Sequence, residues 1–204
     1  MQFDIQEERA IPFYGGDQRL TDAVRSAGAR RNMSSVHFVF RKIKNIILAR
    51  LSYFCPLNGW RVKMNRWRGV HIGKNVYIGM HCVIDNAYPE YVYIEDDVSL
   101  AGEVTVIAHM NPYPHFEGVI EPKVVPVVVH KGAWVGVKCA ILCGVEVGEY
   151  AIVSAGSVVD KAVSPCTIVA GNPAHKKVDF STLMKDIESD ANSSAKNKTN
   201  NNPK

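Results

Sequence analysis

The 204-residue sequence lacks the features that mark several large classes of protein. It has no run of about 18 uncharged apolar residues, which a membrane-spanning helix requires. Its first residues, MQFDIQEERAIPFYGG, are polar and carry acids, so we expect no signal peptide. The formal net charge of +4 is too mild to indicate a nucleic-acid partner. A hydrophobic share of 47% is sufficient for the core of one domain with extensions.

The five cysteines contain no CxxC pair. Cys139 and Cys143 are four residues apart without a second ligand pair nearby, and this spacing disfavours a zinc knuckle. An odd number of scattered cysteines is typical of a reducing compartment. We therefore expect a cytoplasmic protein that holds no metal.

A stretch near the N-terminus, SSVHFVFRKIKNIILARLSYFC (residues 34–55), has apolar residues at helical spacing. Ser34 or Ser35 is positioned to cap its start. We predict a helix with one broad apolar face, interrupted by Arg50, within an N-terminal extension of residues 1–60. Packing on the main domain is favoured, because such a helix can close one end of a repeat stack. Contact with the inner face of a membrane is the alternative.

A six-residue repeat runs through residues 72–164, with interruptions at 90–93 and after residue 111. Neither a helix nor a hairpin strand produces this period. It indicates one flat strand and one corner per unit, with three units closing a coil of about 18 residues. Glycine follows four of the repeat positions, where we expect it to ease the turn. The repeat positions are Ile72, Ile78, Ile84, Ile94, Leu100, Val106, Val129, Val135, Ile141, Val147, Val153 and Val159.

Stacked coils of this kind form a parallel β-helix, so the fold class predicted is all-β with an N-terminal helical extension. The solenoid domain is predicted to cover residues 61–178, and its interruption to be a loop over residues 111–128. Residues 179–204 become rich in Asn, Ser and Lys, and we expect this tail to be disordered.

Three stretches, GVHIGKNVYIG, VTVIAH and GAWVGVKCAILCGVEVGEYAIVSAGSVVDKAV followed by IVAGNPA, resemble the hexapeptide-repeat acyltransferases. The chain is most similar to the maltose, galactoside and colanic-acid O-acetyltransferase branch, over residues 60–178. The resemblance implies a left-handed β-helix, a homotrimer and acetyl-CoA bound between subunits. It also implies acetyl transfer to a saccharide, free or linked to a nucleotide or lipid, in the synthesis of cell-surface polysaccharide.

Acetyl transfer to a hydroxyl needs a general base, and imidazole titrates near neutral pH. The resemblance implies a catalytic histidine where the loop leaves the coil, which is His109. His115, six residues later, is a candidate for acceptor binding. The segment IDNAYPEY supplies three more acceptor-binding candidates, Asp85, Asn86 and Glu90. Two other roles for Asp85 are also open, since this carboxylate could orient a histidine or satisfy a turn.

The resemblance also implies that backbone groups of stacked turns, with some basic side chains, bind acetyl-CoA. Asp160 stands where the family usually has threonine, which leaves the neighbouring lysine to pair with CoA phosphates. The cofactor-binding candidates are Trp134, Gly136, Val137, Ala155, Gly156, Lys161, Lys176 and Lys177.

Other functions remain as alternatives. A γ-class carbonic anhydrase would need three histidines on zinc, and His81, His109 and His115 invite the comparison. The repeat register disfavours it, because His81 follows the second strand of its coil and His109 the third. An amino-sugar N-acetyltransferase, a serine-type O-acetyltransferase and a non-catalytic assembly protein are the other candidates. The serine enzymes have a larger helical N-terminal domain than the roughly 60 residues present here.

Overall fold

The computed structural model describes residues 34–112, 116 and 119–185. Helices α1 (Ser35–Phe54) and α2 (Asn58–Arg68) come first, and one 3-10 turn, Pro89–Tyr91, lies among the strands that follow. The strands are β1 (His71–Ile72), β2 (Tyr77–Ile78), β3 (Val83–Ile84), β4 (Val92–Ile94), β5 (Ser99–Leu100), β6 (Thr105–Val106), β7 (His109–Met110), β8 (Lys123–Val124), β9 (Val127–Val129), β10 (Trp134–Val135), β11 (Ala140–Ile141), β12 (Glu146–Val147), β13 (Ile152–Val153), β14 (Val158–Val159), β15 (Thr167–Ala170) and β16 (His175–Asp179).

The strands stack into three parallel sheets. The first sheet has the order β1-β4-β9-β12, the second β2-β5-β10-β13-β15 and the third β3-β6-β11-β14. Antiparallel pairs add β16 to the edge of the second sheet and join β7 to β8. Successive strands of one coil belong to successive sheets, so the chain winds as a three-sided parallel β-helix.

The predicted register of the repeat is confirmed. In the second sheet the repeat positions Ile78, Leu100, Val135 and Val153 lie one above the other, and Val169 continues the column. Eleven of the twelve repeat positions are buried, and Ile72 in the first strand is half-buried. Burial of these columns is the main stabilising contribution to the solenoid, at roughly 25 cal/mol per Å² of apolar surface.

The expectation that glycine after the repeat position eases the turn is wrong. A Cβ on Gly148 would lie 2.5 Å from the backbone nitrogen of Pro165 in the next coil, so glycine is needed there for close approach of two backbones. The turn itself is made two residues later, where non-glycine residues such as Asn75, Asp97 and Lys138 take positive φ values of 53–61°.

Helix α2 was not predicted, and it crosses the expected boundary at residue 60. It covers the open end of the first coil, whose backbone groups have no preceding coil to pair with. The Asn58 amide donates to the carbonyl of Val76 and accepts from the N–H of Ile78, at 3.1 and 2.9 Å. Nε of Arg61 donates to the carbonyl of Ile78 at 2.6 Å. These bonds cap the solenoid, since unpaired backbone groups at that edge would be costly when buried.

Helix α1 lies where the sequence predicts a helix, with Ser34 as its N-cap. The expectation that its apolar face packs on the main domain is wrong. The side that packs inward contains Phe38, Asn45 and Ser52, which are at most 5% exposed. We call the opposite, solvent-facing apolar surface of both helices the outer face. It comprises Val36, Val39, Phe40, Ile43, Ile46, Ile47, Leu51, Phe54, Leu57, Trp60 and Trp67.

Among the described helices, none has the length and hydrophobicity that a membrane crossing requires.

Replacing Gly148 by alanine tests the close-approach argument. We expect Gly148→Ala to lower the free energy of unfolding by about 2–3 kcal/mol, because the new Cβ meets backbone atoms that cannot move independently. The matched control is Gly59→Ala in α2, where a Cβ meets nothing within 4 Å and φ is ordinary. Chemical denaturation should show no loss for the control, and equal effects of both substitutions would contradict the argument.

Candidate active site

The backbone of His109 is held at the point where the chain leaves the solenoid. It follows β6 of the third sheet and begins β7, whose pairing places it opposite Val124 of β8. The loop is shorter than the predicted 111–128, since β8 begins at Lys123 and β9 returns to the first sheet at Val127. His115 lies outside the described residues.

His109 contacts a carboxylate from the coil above it. Nδ1 of His109 lies 2.6 Å from Oδ2 of Asp85, which follows β3 in the third sheet. Asp85 is fully buried, while 27% of the His109 side chain is exposed. Three backbone N–H groups complete the coordination of Asp85, those of Ala87 and Tyr88 to Oδ1 and that of Ala108 to Oδ2, at 2.8–2.9 Å.

This arrangement determines the tautomer of His109. An ionised carboxylate can only accept hydrogen bonds, so the Nδ1 that contacts Asp85 must carry a proton. In the neutral imidazole, Nε2 is then unprotonated and able to accept a proton from a reacting group. The Tyr88 ring, with its centroid 5.5 Å from that of the imidazole, packs beside it.

The surroundings keep Asp85 ionised. Burial alone would raise the pKa of its carboxyl. The hydrogen bonds from His109 and from backbone N–H groups outweigh burial, so the pKa lies below its ordinary value. The carboxylate is therefore negative at neutral pH and stabilises an imidazolium if His109 takes up a proton.

Two cations from the N-terminal helices hold the turn that carries Asp85. The buried guanidinium of Arg68 donates to the carbonyls of Ile84 and Asp85 at 2.8 and 2.7 Å. Nζ of Lys42 in α1 donates to the carbonyl of Ala87 at 2.6 Å. Burial lowers the pKa of Arg68 to about 10, and the Asp85 charge opposes this shift, so the side chain remains charged near neutral pH.

Sequence reasoning missed Lys42 and Arg68. Lys42 lies in the segment read as an extension, and Arg68 lies just inside the predicted solenoid domain. In neither segment does a basic residue carry a signal that distinguishes an inward-pointing side chain from a solvated one.

The acceptor-binding candidates near Asp85 have other partners. Asp85 has no exposed surface with which to contact an acceptor, so its structural environment favours the orienting role. Oδ1 of Asn86 accepts from Arg68 at 2.9 Å, although the residue is exposed. Glu90 forms an ion pair with Arg41 of α1 at 2.8 Å, with about a quarter of its side chain exposed.

The structure brings five of the cofactor-binding candidates together at the corner between the second and third sheets. Trp134 and Val137 expose about half of their surface there. The N–H of Gly156 donates to the carbonyl of Val137 at 2.8 Å, and Gly136 lies directly against Ala155.

His109 is not at this corner. It follows β6 at the C-terminal end of the third-sheet strands, whereas the corner precedes β11 at their N-terminal end. The length of these strands therefore separates the two groups within one chain.

The three lysine candidates are dispersed. Lys161 follows β14, at the same end of the third-sheet strands as His109, and is exposed. Lys176 and Lys177 lie on the exposed strand β16, where Nζ of Lys176 is paired with Asp179 at 2.8 Å.

Two of the other described histidines have structural contacts. His81 packs on Tyr53, with ring centroids 4.9 Å apart. His130 bridges Glu95 and Glu146 at 3.3 and 3.5 Å. Across the described ranges, no group of three His, Cys, Asp or Glu side chains is arranged to hold a metal ion.

Comparison with known proteins identifies the repeat. A family model described as the hexapeptide repeat of succinyl-transferase matches residues 126–161. The matched segment lies within the solenoid, so this part of the chain contains hexapeptide repeats.

Among curated relatives, the galactoside O-acetyltransferase of Escherichia coli (strain K12) is 31% identical over 105 residues, 51% of this chain and 51% of that protein. A protein of Staphylococcus aureus (strain Mu50), provisionally named as an acetyltransferase, is 32% identical over 124 residues, 59% of this chain and 57% of that protein. The chain thus spans about half of the length of these relatives.

Solved structures share the fold of the hexapeptide-repeat domain. A Vibrio cholerae hexapeptide-repeat acetyltransferase complexed with acetyl-CoA aligns with a TM-score of 0.56 at 20% identity, over 72% of this chain and 90% of that one. The maltose O-acetyltransferase of Clostridium difficile also gives 0.56, at 21% identity, over 69% and 87%. At such identities the likeness shows the fold alone.

The contribution of α2 to the stability of the domain can be tested at Arg68. We expect Arg68→Met to lower the free energy of unfolding by about 3 kcal/mol, because it leaves the buried carbonyls of Ile84 and Asp85 without donors. The control is Arg66→Met, which removes exposed bonds to first-coil carbonyls and should cost less than about 1 kcal/mol. Similar losses in urea denaturation would show that Arg68 has no special role.

The depressed pKa of Asp85 predicts a pH dependence of stability. Its folded pKa lies below the unfolded value of about 3.9, so its contribution is present above that pH and is lost as pH falls through the folded pKa. The free energy of unfolding should therefore fall more steeply below about pH 4 in the wild type than in Asp85→Asn. At pH 7 this variant should be less stable by about 2–3 kcal/mol, because an amide N–H₂ would face donors.

Denaturation curves at several pH values measure both effects. The exposed Asp160→Asn should keep the wild-type slope, and an unchanged slope in Asp85→Asn would refute the assignment.

Proposed function

We propose that this protein is an acetyl-CoA-dependent O-acetyltransferase that modifies a hydroxyl of a saccharide acceptor. The observation that carries this proposal is the His109–Asp85 pair, with Nδ1 directed to a buried carboxylate and 27% of the imidazole side chain exposed. The hexapeptide repeat and the names of the curated relatives support the reaction class. The left-handed winding of the β-helix is part of the same proposal.

In the proposed reaction, His109 acts as general base through Nε2. The acceptor hydroxyl gives its proton to Nε2 as its oxygen attacks the thioester carbonyl of acetyl-CoA. Asp85 stabilises the resulting imidazolium and is a positioning residue, since it is too buried to touch the acceptor. When the carbon–sulfur bond breaks, the proton on Nε2 passes to the departing thiolate, giving free CoA and the acetyl ester.

The donor is proposed to lie along the corner formed by Trp134–Val137 and the stacked residues Ala155 and Gly156. Backbone N–H groups near the Trp134–Val137 segment are proposed to stabilise the oxyanion of the tetrahedral intermediate. Lys161, Lys176 and Lys177 are proposed to meet the CoA phosphates. Lys176 would then exchange its partner Asp179 for phosphate.

Assembly of the site is proposed to need a homotrimer. His109 and the Trp134–Val137 corner lie at opposite ends of the third-sheet strands, so one chain alone does not bring base and donor together. With three solenoids packed around a threefold axis, the His109 corner of one subunit would lie beside the Trp134–Val137 corner of its neighbour. Donor and base would then come from adjacent subunits.

The acceptor is proposed to be a saccharide, free or carried on a nucleotide or lipid, in the synthesis of cell-surface polysaccharide. The names of two similar proteins, a galactoside O-acetyltransferase and a maltose O-acetyltransferase, support this class. Exposed Asn86, next to the His109–Asp85 pair, and His115 are the candidate acceptor contacts.

A thiol-release assay tests the proposal. The wild type should release CoA from acetyl-CoA with an acceptor drawn from free sugars, nucleotide sugars or polysaccharide fragments. We expect His109→Ala to lower kcat by about 10²–10⁴-fold, the usual contribution of a general base, with little change in the KM for acetyl-CoA. The control is His130→Ala, which removes a histidine held between Glu95 and Glu146 and should leave kcat near the wild-type value.

The acceptor panel distinguishes the alternatives. It includes amino sugars and serine, so that an N-acetyltransferase or a serine-type enzyme would be recognised by its product. Full activity of His109→Ala on any acceptor would refute the role of this residue, and absence of thiol release across the whole panel would refute the proposed reaction.

A further inference from the structure

The outer face is unusual because most of the large apolar side chains of α1 are exposed to solvent, whereas polar side chains of the same helix are buried against the protein. Phe40 and Ile47 are 69% and 53% exposed, whereas Asn45 and Ser52 on the opposite side are almost fully buried. In an ordinary surface helix the two sides are reversed. Exposed apolar surface of this extent on two adjacent helices indicates a binding surface.

The outer face continues from α1 onto α2 through an apolar groove. Leu51 and Phe54 of α1 and Trp60 and Trp67 of α2 line this groove, which has a volume of about 620 Å³. The two tryptophan rings meet edge to face at 6.4 Å and are about half exposed. Tryptophan is enriched where one side of a ring meets hydrocarbon and the other meets polar headgroups.

Exposed cations border this apolar surface. The two helices contain no Asp or Glu over residues 35–68, and four of their basic residues, Lys44, Arg50, Lys63 and Arg66, are exposed. Nζ of Lys63 lies 5.3 Å from the centroid of the Trp60 ring, and Nζ of Lys44 donates to the carbonyl of Trp67 at 2.9 Å. Arg50 lines the groove itself.

From this combination we propose that the outer face binds the surface of an anionic lipid bilayer, with α1 lying in the plane of the interface. The apolar side chains enter the acyl boundary, the tryptophans lie at the headgroup level, and the cations meet lipid phosphates. A second copy of the same face is a poor occupant, since pairing would bring the exposed cations of two such faces together. The proposal does not depend on the acetyl-transfer reaction.

The geometry connects this surface to the candidate active site. Lys42, on the inward side of α1, donates to the carbonyl of Ala87, two residues from Asp85. Binding of α1 to a bilayer would therefore place the His109–Asp85 pair next to the membrane surface.

Vesicle co-sedimentation of the full chain tests the proposal. The protein should pellet with vesicles of phosphatidylcholine and phosphatidylglycerol, bind phosphatidylcholine alone much more weakly, and dissociate as salt is raised. The double variant Phe40→Ser/Ile47→Ser should reduce the partition coefficient about tenfold or more. Both side chains are exposed, so the fold should be retained. The matched control is Val178→Ser/Leu183→Ser, which removes exposed apolar groups elsewhere and should bind like the wild type.

A fluorescence measurement locates the contact. The chain has three tryptophans, so in Trp134→Phe only Trp60 and Trp67 emit. Their emission should shift to shorter wavelength on anionic vesicles. Failure to pellet, pelleting unaffected by the double variant, or pelleting without a spectral shift would each overturn the proposal. A change in the oligomeric mass of the double variant, without loss of vesicle binding, would assign the face to a subunit contact instead.

Discussion

The buried carboxylate of Asp85 is the group on which the candidate site depends. A fully buried charge is tolerated only when its hydrogen-bonding capacity is used, and Asp85 accepts three backbone N–H groups besides the contact with His109. These donors come from the turn after β3 and from the strand end before β7. One side chain therefore fastens two successive coils at the corner where the loop departs, and the same bonds select the His109 tautomer.

The position of Asp85 in the first coil explains why the N-terminal helices are needed. A later coil has neighbours above and below, but the first coil has an open edge whose carbonyls require donors. Helix α2 supplies Asn58, Arg61 and Arg68 to that edge, and α1 supplies Lys42 to the adjoining turn. The two N-terminal helices, which together cross the predicted boundary at residue 60, are therefore a structural part of the site, and the charge of Arg68 also balances that of Asp85.

The repeat made the sheet register predictable, because a column of buried Ile, Leu and Val recurs wherever coils stack. The same register places Ile84 above Val106, which puts Asp85 and His109 in adjacent coils at one corner. The direction of the Asp85 side chain was not predictable, since the six-residue period describes strands and leaves the turns undetermined. The assignment of His109 as the base depended on family resemblance, and the side of α1 that would pack inward depended on tertiary contacts.

The orientation of α1 indicates, on energetic grounds, that the outer face is a functional surface. An isolated chain would gain stability by turning Phe40, Ile43 and Ile47 inward, and it would lose little by exposing Asn45 and Ser52. Instead the side that contains Asn45 and Ser52 packs against the protein, and Ser52 accepts a hydrogen bond from Asn65 of α2 at 2.8 Å. A sequence that breaks the ordinary pattern at a cost in stability does so where another requirement acts on the same residues. Binding to the surface of an anionic lipid bilayer would meet that requirement.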